Sequence, residues 1–253
     1  MLLAVDIGNT AIHIGVFEQR RLRRRVSLPT RSARLPGRLR RSLGSLSSRR
    51  LRAGGHALVC SVVPWATAAV VRALRAAGVA RVRVVGRTVR VPLKNRYRYP
   101  AQVGQDRLVG AYAAWKRFGR DCVVADFGTA ITIDVVTKAG EYLGGVIAPG
   151  LEISLDALAN RTALLPRVAL REPPELLGRD TANSIRSGLL YGGVALCDGL
   201  ITQLKRAYAP KAVVVATGGG SRLIAKHSAT IDHLAPDLVL DGLQALSQPS
   251  SNP

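Results

Sequence analysis

The chain has 253 residues, of which 47% are hydrophobic and 21% charged, with a formal net charge of +21; that length suits one large domain or two ordinary ones with a full core. No apolar run reaches the roughly 20 residues of a membrane span, the N-terminus reads as a buried strand rather than a signal peptide, and Cys60, Cys122 and Cys197 have no metal-ligand spacing and cannot all pair, so a cytoplasmic protein with buried free thiols and no membrane partner is expected. The charge is lopsided: residues 1–110 carry 23 Lys+Arg against 3 Asp+Glu, and residues 111–253 carry 14 against 13.

In chain order, Leu2–Val5, Ala11–Phe17 and Leu22–Leu28 are predicted strands of a meander, from buried or alternating apolar patterns. A helix is possible within 34–52, against Pro36, Gly37, Gly44 and several serines. Ala57–Val62 is a buried strand. Trp65–Ala77 is a helix, opened by Pro64 and stopped by Gly78. Val82–Val85 is a strand, 88–103 an irregular connection, and Asp106–Arg117 a helix.

The second half then starts again, with strands Cys122–Asp126, Ala130–Val136 and Glu141–Ile147. Helices follow over Glu152–Asn160 and Thr181–Tyr208, the latter interrupted by Gly188, Gly192, Gly193 and Gly199. A strand over Ala212–Ala216, a turn at Thr217–Gly220 and a helix over Ser221–Lys226 come next, with a disordered tail after Ser247. Two halves opening on the same meander imply a duplicated α/β architecture with mixed sheets flanked by helices, divided as 1–110 and 111–253.

The repeat carries chemistry. Asp6-Ile7-Gly8-Asn9-Thr10-Ala11 and Asp126-Phe127-Gly128-Thr129-Ala130 are each a turn between two strands. Glycine lets backbone N–H groups approach phosphate oxygens, a threonine hydroxyl donates to them, and an aspartate holds a cation or its waters. A single such turn is ordinary hairpin chemistry. A pair in matching contexts suits a nucleotide triphosphate and its metal, held between two facing hairpins.

The arginine-rich stretch from Arg20 to Arg52 admits two readings, a polyanion-binding surface or a solvated one. It lacks aromatic interleaving and any zinc-finger pattern, so specific nucleic-acid binding is not expected. On so basic a background the three acids of the first half, Asp6, Glu18 and Asp106, invite a reason, either pairing with arginine or metal and proton chemistry.

Seven motifs in order carry a resemblance. They are Asp6-Ile-Gly-Asn-Thr10, Tyr97-x-x-Pro100-x-x-x-Gly104-x-Asp106-Arg107, Asp126-Phe-Gly-Thr-Ala130, Gly144-Gly-x-x-x-Pro-Gly150, Leu165-Pro166-x-Val168, Gly178-x-x-Thr181 and Thr217-Gly-Gly-Gly220. Over nearly its whole length the chain resembles the type III pantothenate kinases, of the actin-like (ribonuclease H-like) and sugar-kinase ATPase superfamily. The resemblance implies transfer of the γ-phosphate of ATP to the hydroxyl of pantothenate, the first step of coenzyme A synthesis, by a homodimer using Mg²⁺ and a monovalent cation, K⁺ or NH₄⁺.

Residue by residue, it implies that Asp6, Ile7, Gly8, Asn9, Thr10, Ala11, Ile12, His13 and Thr129 hold ATP, with Asp6 near Mg²⁺. Asp126 would bind the monovalent cation. Tyr97, Gly104, Gln105, Asp106, Arg107 and Thr181 would contact pantothenate. Asp106 would be the general base, as transfer to an alcohol requires, and Arg107 the guanidinium that grips the substrate carboxylate. Plainer roles compete: Asp106 and Thr181 also suit helix starts, and Tyr97 could simply pack. Tyr99 stands where the family often has asparagine. A regulatory or nucleic-acid-associated protein on the same fold, and a kinase of another small alcohol, are the alternatives.

Overall fold

The computed structural model describes residues 1–46 and 55–248. The chain forms two compact units. Unit 1 comprises Met1–Leu93, Arg98–Lys116 and 238–248, and unit 2 comprises Lys94–Tyr97 and Arg117–Asp237.

Unit 1 is a five-stranded sheet built from β1 (Leu2–Ile7), β2 (Ala11–Glu18), β3 (Arg21–Pro29), β4 (His56–Ser61) and β5 (Arg81–Val84), in the order β3-β2-β1-β4-β5. β1 is central, antiparallel to β2 and parallel to β4. That position explains why its apolar run is nearly unbroken, since both faces are covered. One face carries Leu3, Val5, Ile7, Ile12 and Ile14 against α1 (Leu35–Leu46) and α2 (Pro64–Ala76). Helix α1 contributes Leu35, Leu39 and Leu43, one stripe at four-residue spacing. The other face carries Leu2, Ala4, Leu58 and Cys60 against Val109 and Tyr112 of α3 (Gln105–Phe118), and Leu240 and Leu243 of α7 (Leu238–Leu246). The strict alternation of Leu2, Ala4 and Asp6 with Leu3, Val5 and Ile7 is period-two geometry read in the core.

Unit 2 is a six-stranded sheet of β6 (Lys94–Asn95), β7 (Cys122–Phe127), β8 (Ala130–Val136), β9 (Glu141–Pro149), β10 (Val213–Thr217) and β11 (His233–Leu234), in the order β11-β10-β7-β8-β9-β6. The helices α4 (Leu151–Arg161), α5 (Thr181–Tyr208) and α6 (Ser221–Ala225) belong to this unit, and its core gathers Val123, Ala125, Ile133, Leu190, Val194 and Ile201. Setting β6 aside, the order β9-β8-β7-β10-β11 repeats β3-β2-β1-β4-β5, with the same parallel and antiparallel pairings. Even the irregularity repeats: the register slips between Val16 and Phe17 in one unit and between Val135 and Val136 in the other. Asp6 and Asp126 are each the penultimate residue of the central strand. The duplication read in the sequence is a duplication of topology.

The partition differs from a single break after residue 110 in three places. Lys94–Tyr97 joins unit 2 because β6 pairs with β9. Helix α3 stays with unit 1 as far as Lys116, its Val109 and Tyr112 being buried there. Residues 238–248 return to unit 1 because Leu240 and Leu243 fill its second core face. Neither α7 nor β11 was expected.

The described part of the arginine-rich stretch is β3, an edge strand, and the outer face of α1. Arg21, Arg23, Arg24 and Arg25 are exposed. Charge on an edge strand discourages pairing with other chains. Arg24 also donates to the Ser45 carbonyl at 3.0 Å, near the C-terminal end of α1. Residues 47–52 of the stretch, and all of the expected disordered tail except Gln248, lie outside the described residues.

Candidate active site

In unit 1, β1 runs out at Ile7 into the turn Gly8-Asn9-Thr10, closed by Gly8 N–H donating to Ala11 O at 3.0 Å. Asn9 and Thr10 are exposed and Asp6 is half-buried. Asp6 pairs in register with His13 on β2 and with Cys60 on β4. His13 Nδ1 lies 3.4 Å from an Arg25 guanidinium nitrogen. A residue without an expected role supports the turn from behind. Thr30, fully buried, donates its N–H to Thr10 O (2.9 Å) and its Oγ1 to Gly8 O (2.7 Å).

Asp106 is half-buried in the first turn of α3, and its Oδ1 accepts the Arg107 N–H at 2.8 Å. The carboxylate thus satisfies one of the helix's first N–H groups from within the first turn, Gly104 being the residue that precedes the helix. A Cβ on Gly104 would lie 2.4 Å from that same Oδ1, so only glycine leaves the carboxylate where it is. Burial pushes the Cys60 thiol well up, and the carboxylates of Asp6 and Asp106 push it further. One buried thiol therefore senses both acids, which puts them in a common electrostatic neighbourhood at the C-terminal edge of the sheet.

Beside them is a cavity of about 240 Å³ lined by Ser61, Val62, Thr67, Val85, Arg87 and Gln105 among others. Its wall is fixed by Thr67 Oγ1 donating to Ser61 Oγ at 2.7 Å and by Ser61 Oγ accepting the Val63 N–H at 3.0 Å.

In unit 2 the second hairpin repeats the closure, with Gly128 N–H donating to Ala130 O at 3.1 Å. This turn is one residue shorter than the first, lacking a counterpart of Asn9. Two glycine turns press on it. Gly150 donates its N–H to Thr129 O at 3.2 Å, and Gly220 donates to Phe127 O at 3.0 Å. Gly218 has φ +87°, and a Cβ there would sit 2.3 Å from Asp126 Oδ1. Space beside the Asp126 carboxylate is thus kept by a glycine, a cradle that any side chain would fill. A carboxylate beside space that a glycine keeps open is a donor that a weakly held monovalent cation could use; no cluster of three or more His, Cys, Asp or Glu occurs among the described residues.

Tyr97 also belongs to unit 2. Its N–H donates to Asn95 Oδ1 at 3.0 Å, and Arg96 before it pairs with Glu141 of β9 at 2.6 Å. Gly144, at φ +119°, lets the Tyr97 ring lie against β9, since a Cβ would stand 3.1 Å from it. Thr181 is the first residue of α5, but Asp180 caps the helix by accepting the Asn183 N–H at 2.8 Å. Thr181 is exposed and is not needed as the cap. The candidate residues thus divide: Asp6 to His13 with Gly104 to Arg107 in unit 1, and Tyr97, Asp126, Thr129 and Thr181 in unit 2.

Sequence reasoning missed Thr30, Gly150 as the partner of the second turn, and Gly144 beneath Tyr97. The two glycines lie in a motif whose spacing was visible but whose contacts were not.

Known proteins show the same pattern. A solved protein described as a Baf family transcriptional activator from Campylobacter jejuni superposes with TM-score 0.61 at 17% identity, covering 96% of each chain. One described as a 2-dehydro-3-deoxygalactonokinase from Sinorhizobium meliloti gives 0.60 at 14% identity, covering 98% of each. These likenesses, with the repeated sheet order, make this the duplicated actin-like ATPase fold. In sequence, the type III pantothenate kinase of Rubrobacter xylanophilus is 43% identical over 97% of both chains. The family model for type III pantothenate kinase matches residues 2–203. On that match and that identity, the chain belongs to the type III pantothenate kinase family.

Proposed function

We propose that the protein transfers the γ-phosphoryl group of ATP to the primary hydroxyl of pantothenate, opening coenzyme A synthesis. The observation that carries this, beside family membership, is Asp106: a carboxylate in the first turn of a helix, in the same electrostatic neighbourhood as Asp6 of the first hairpin. As the hydroxyl oxygen attacks the γ-phosphorus, Asp106 takes its proton. The new O–P bond forms as the bond from the bridging oxygen to the γ-phosphorus breaks, and ADP leaves with that oxygen. The backbone N–H groups and Thr10 of the first turn bind phosphate oxygens, with Ile7, Gly8, Asn9, Ala11, Ile12 and His13 shaping the turn. Thr129 does the same in the second turn.

Asp6 would hold Mg²⁺ and Asp126 a K⁺ or NH₄⁺ ion; when bound, these supply positive charge against the phosphates. Tyr97, Gly104, Gln105, Arg107 and Thr181 bind pantothenate, Arg107 by bidentate pairing with its carboxylate. The Ser61–Thr67–Gln105 cavity is contiguous with that segment and has room for part of the substrate.

We also place the protein in the cytoplasm as a homodimer. All three cysteines are buried and free, as suits a reducing compartment. On α5, Cβ atoms at Gly188, Gly192 and Gly199 would meet nothing within 4 Å, and Leu196 beside them is 41% exposed. That open, small-residue face suits close approach of a second copy. The regulatory alternative is disfavoured, because Asp6, Asp106, Arg107, Asp126 and Thr129 are all retained.

The test is ATP-dependent phosphorylation of pantothenate by the purified protein, in potassium and in sodium at matched ionic strength, for the parent and Asp106→Asn. The parent should turn over faster in potassium. The variant should lose about a hundred- to ten-thousand-fold in turnover while still binding ATP. A folded Asp106→Asn protein with parental turnover would remove Asp106 from its role.

A further inference from the structure

Thr30 follows β3, far in sequence from every motif except the first, and is fully buried. It makes two hydrogen bonds to the turn Gly8-Asn9-Thr10, one from its N–H to Thr10 O and one from its hydroxyl to Gly8 O. The peptide between Gly8 and Asn9 is planar and trans, so its C=O and N–H point in opposite directions. Drawing Gly8 O inward toward Thr30 therefore turns the Asn9 N–H outward, on an exposed residue.

The second repeat supplies an internal control. Gly150 stands at the end of β9 where Thr30 stands at the end of β3, and its N–H makes the equivalent bond to Thr129 O. There, a Cβ would lie 2.5 Å from Gly128 O and 2.3 Å from Thr129 O, so no side chain fits. The second turn is one residue shorter and presses directly on the following backbone. In the first, longer turn, a threonine side chain fills the gap and bonds across it.

We propose that Thr30 is a positioning residue for the first phosphate turn: its hydroxyl locks the Gly8–Asn9 peptide with the Asn9 N–H facing the nucleotide. This rests on the reading that the first hairpin holds ATP. The N–H bond to Thr10 O is made by backbone and survives substitution, so the hydroxyl can be tested alone.

The experiment compares the parent with Thr30→Val, which removes the hydroxyl at nearly constant volume, Thr30→Ala, which removes it without crowding, and Thr30→Ser, which keeps it. Calorimetry gives the Kd for ATP, steady-state kinetics the KM of each substrate, and circular dichroism the melting point. The Val and Ala variants should bind ATP about tenfold more weakly, the effect of losing one well-made hydrogen bond. Their KM for pantothenate should stay within about twofold, and Thr30→Ser should bind ATP like the parent.

Parental ATP affinity in folded Val and Ala variants would overturn the proposal, as would equal rises in both KM values or a Ser variant as weak as Val. Failure of both Val and Ala variants to fold would make Thr30 a fold residue and also overturn it. A parent that binds ATP but leaves pantothenate unphosphorylated refutes the proposed reaction only, and the Kd comparison still decides the role of Thr30. A parent that binds no ATP removes the ground for both.

Discussion

Replacing Gly218 with alanine tests whether the space beside Asp126 is functional. A Cβ there would stand 2.3 Å from Asp126 Oδ1, and 2.7 Å and 2.8 Å from the carbonyl carbon and nitrogen of Phe127, all below van der Waals contact. The backbone is at φ +87°, where an L-residue costs roughly 1–2 kcal/mol. Overpacking against β7 adds about 1–3 kcal/mol. At about 2–4 °C per kcal/mol for a chain of this size, the melting point should fall by roughly 4–20 °C. Because the carboxylate, unlike the Phe127 backbone, can swing away, part of the strain is relieved by moving Asp126 out of its cradle. Half-maximal activation by potassium should then need about tenfold more of the ion, the equivalent of about 1.4 kcal/mol. Gly219→Ala is the control, since its Cβ would meet nothing within 4 Å. Melting and potassium titration of both variants make the assay. A Gly218→Ala protein that melts with the parent and keeps its potassium response would refute the cradle.

Other outcomes follow from the same geometry. Burial, then Arg83, the N-terminus and Arg81, hold the His56 imidazole below its ordinary pKa of 6.5. Its neutral form therefore stabilises the fold above that pKa, and the contribution is lost as pH falls through the lowered value. Melting points measured from pH 7.5 to 5 should drop more for the parent than for His56→Gln; parallel curves would dismiss this histidine. The Cys122 thiol is pushed up to about 12 and Cys197 to about 11, chiefly by burial, so the folded protein should resist thiol reagents at pH 8 and react only when unfolded. Gln19 and Arg20 both adopt positive φ, 47° and 69°, in the turn joining β2 to β3. Asn and Gly at these positions should stabilise by about 1 kcal/mol, read in denaturant melts, less whatever the Arg20–Gln248 side-chain contact contributes. Changing Arg23, Arg24 and Arg25 to glutamine should reduce DNA retention at low salt while pantothenate phosphorylation stays within a few-fold, roughly under 1 kcal/mol. A sequence-specific complex surviving physiological salt would revive the regulatory reading.

The sequence was most legible where local pattern and tertiary environment agree. Central strands such as Leu2–Ile7 and Cys122–Phe127 announce themselves as apolar runs because both faces are covered. The hairpins were visible because they are local. Helix α7 was not: Leu238-Val-Leu-Asp-Gly-Leu-Gln-Ala-Leu246 has an apolar stripe, but Gly242 interrupts it. That glycine is explained by Val109, whose O and Cγ1 would lie 2.6 Å and 2.7 Å from its Cβ, over a hundred residues earlier. The two-residue strands β6 and β11 carry no periodicity to read. In the site, the acids were identifiable by type and spacing, whereas Thr30 was silent, because its meaning depends on where β3 ends beside Gly8.

Helix α7 has a bearing on how the protein is made. Unit 2 occupies one nearly continuous stretch, needing only Lys94–Tyr97 from outside it. Unit 1 lacks a buried wall of its core until Leu238–Leu246 has emerged. At a translation rate of about 5–20 residues per second, the sheet bearing Asp6 waits on the order of 6–24 seconds after α3 is made, with one face covered by α3 alone while the later unit is free to fold. The first hairpin synthesised is then the last to gain its complete support.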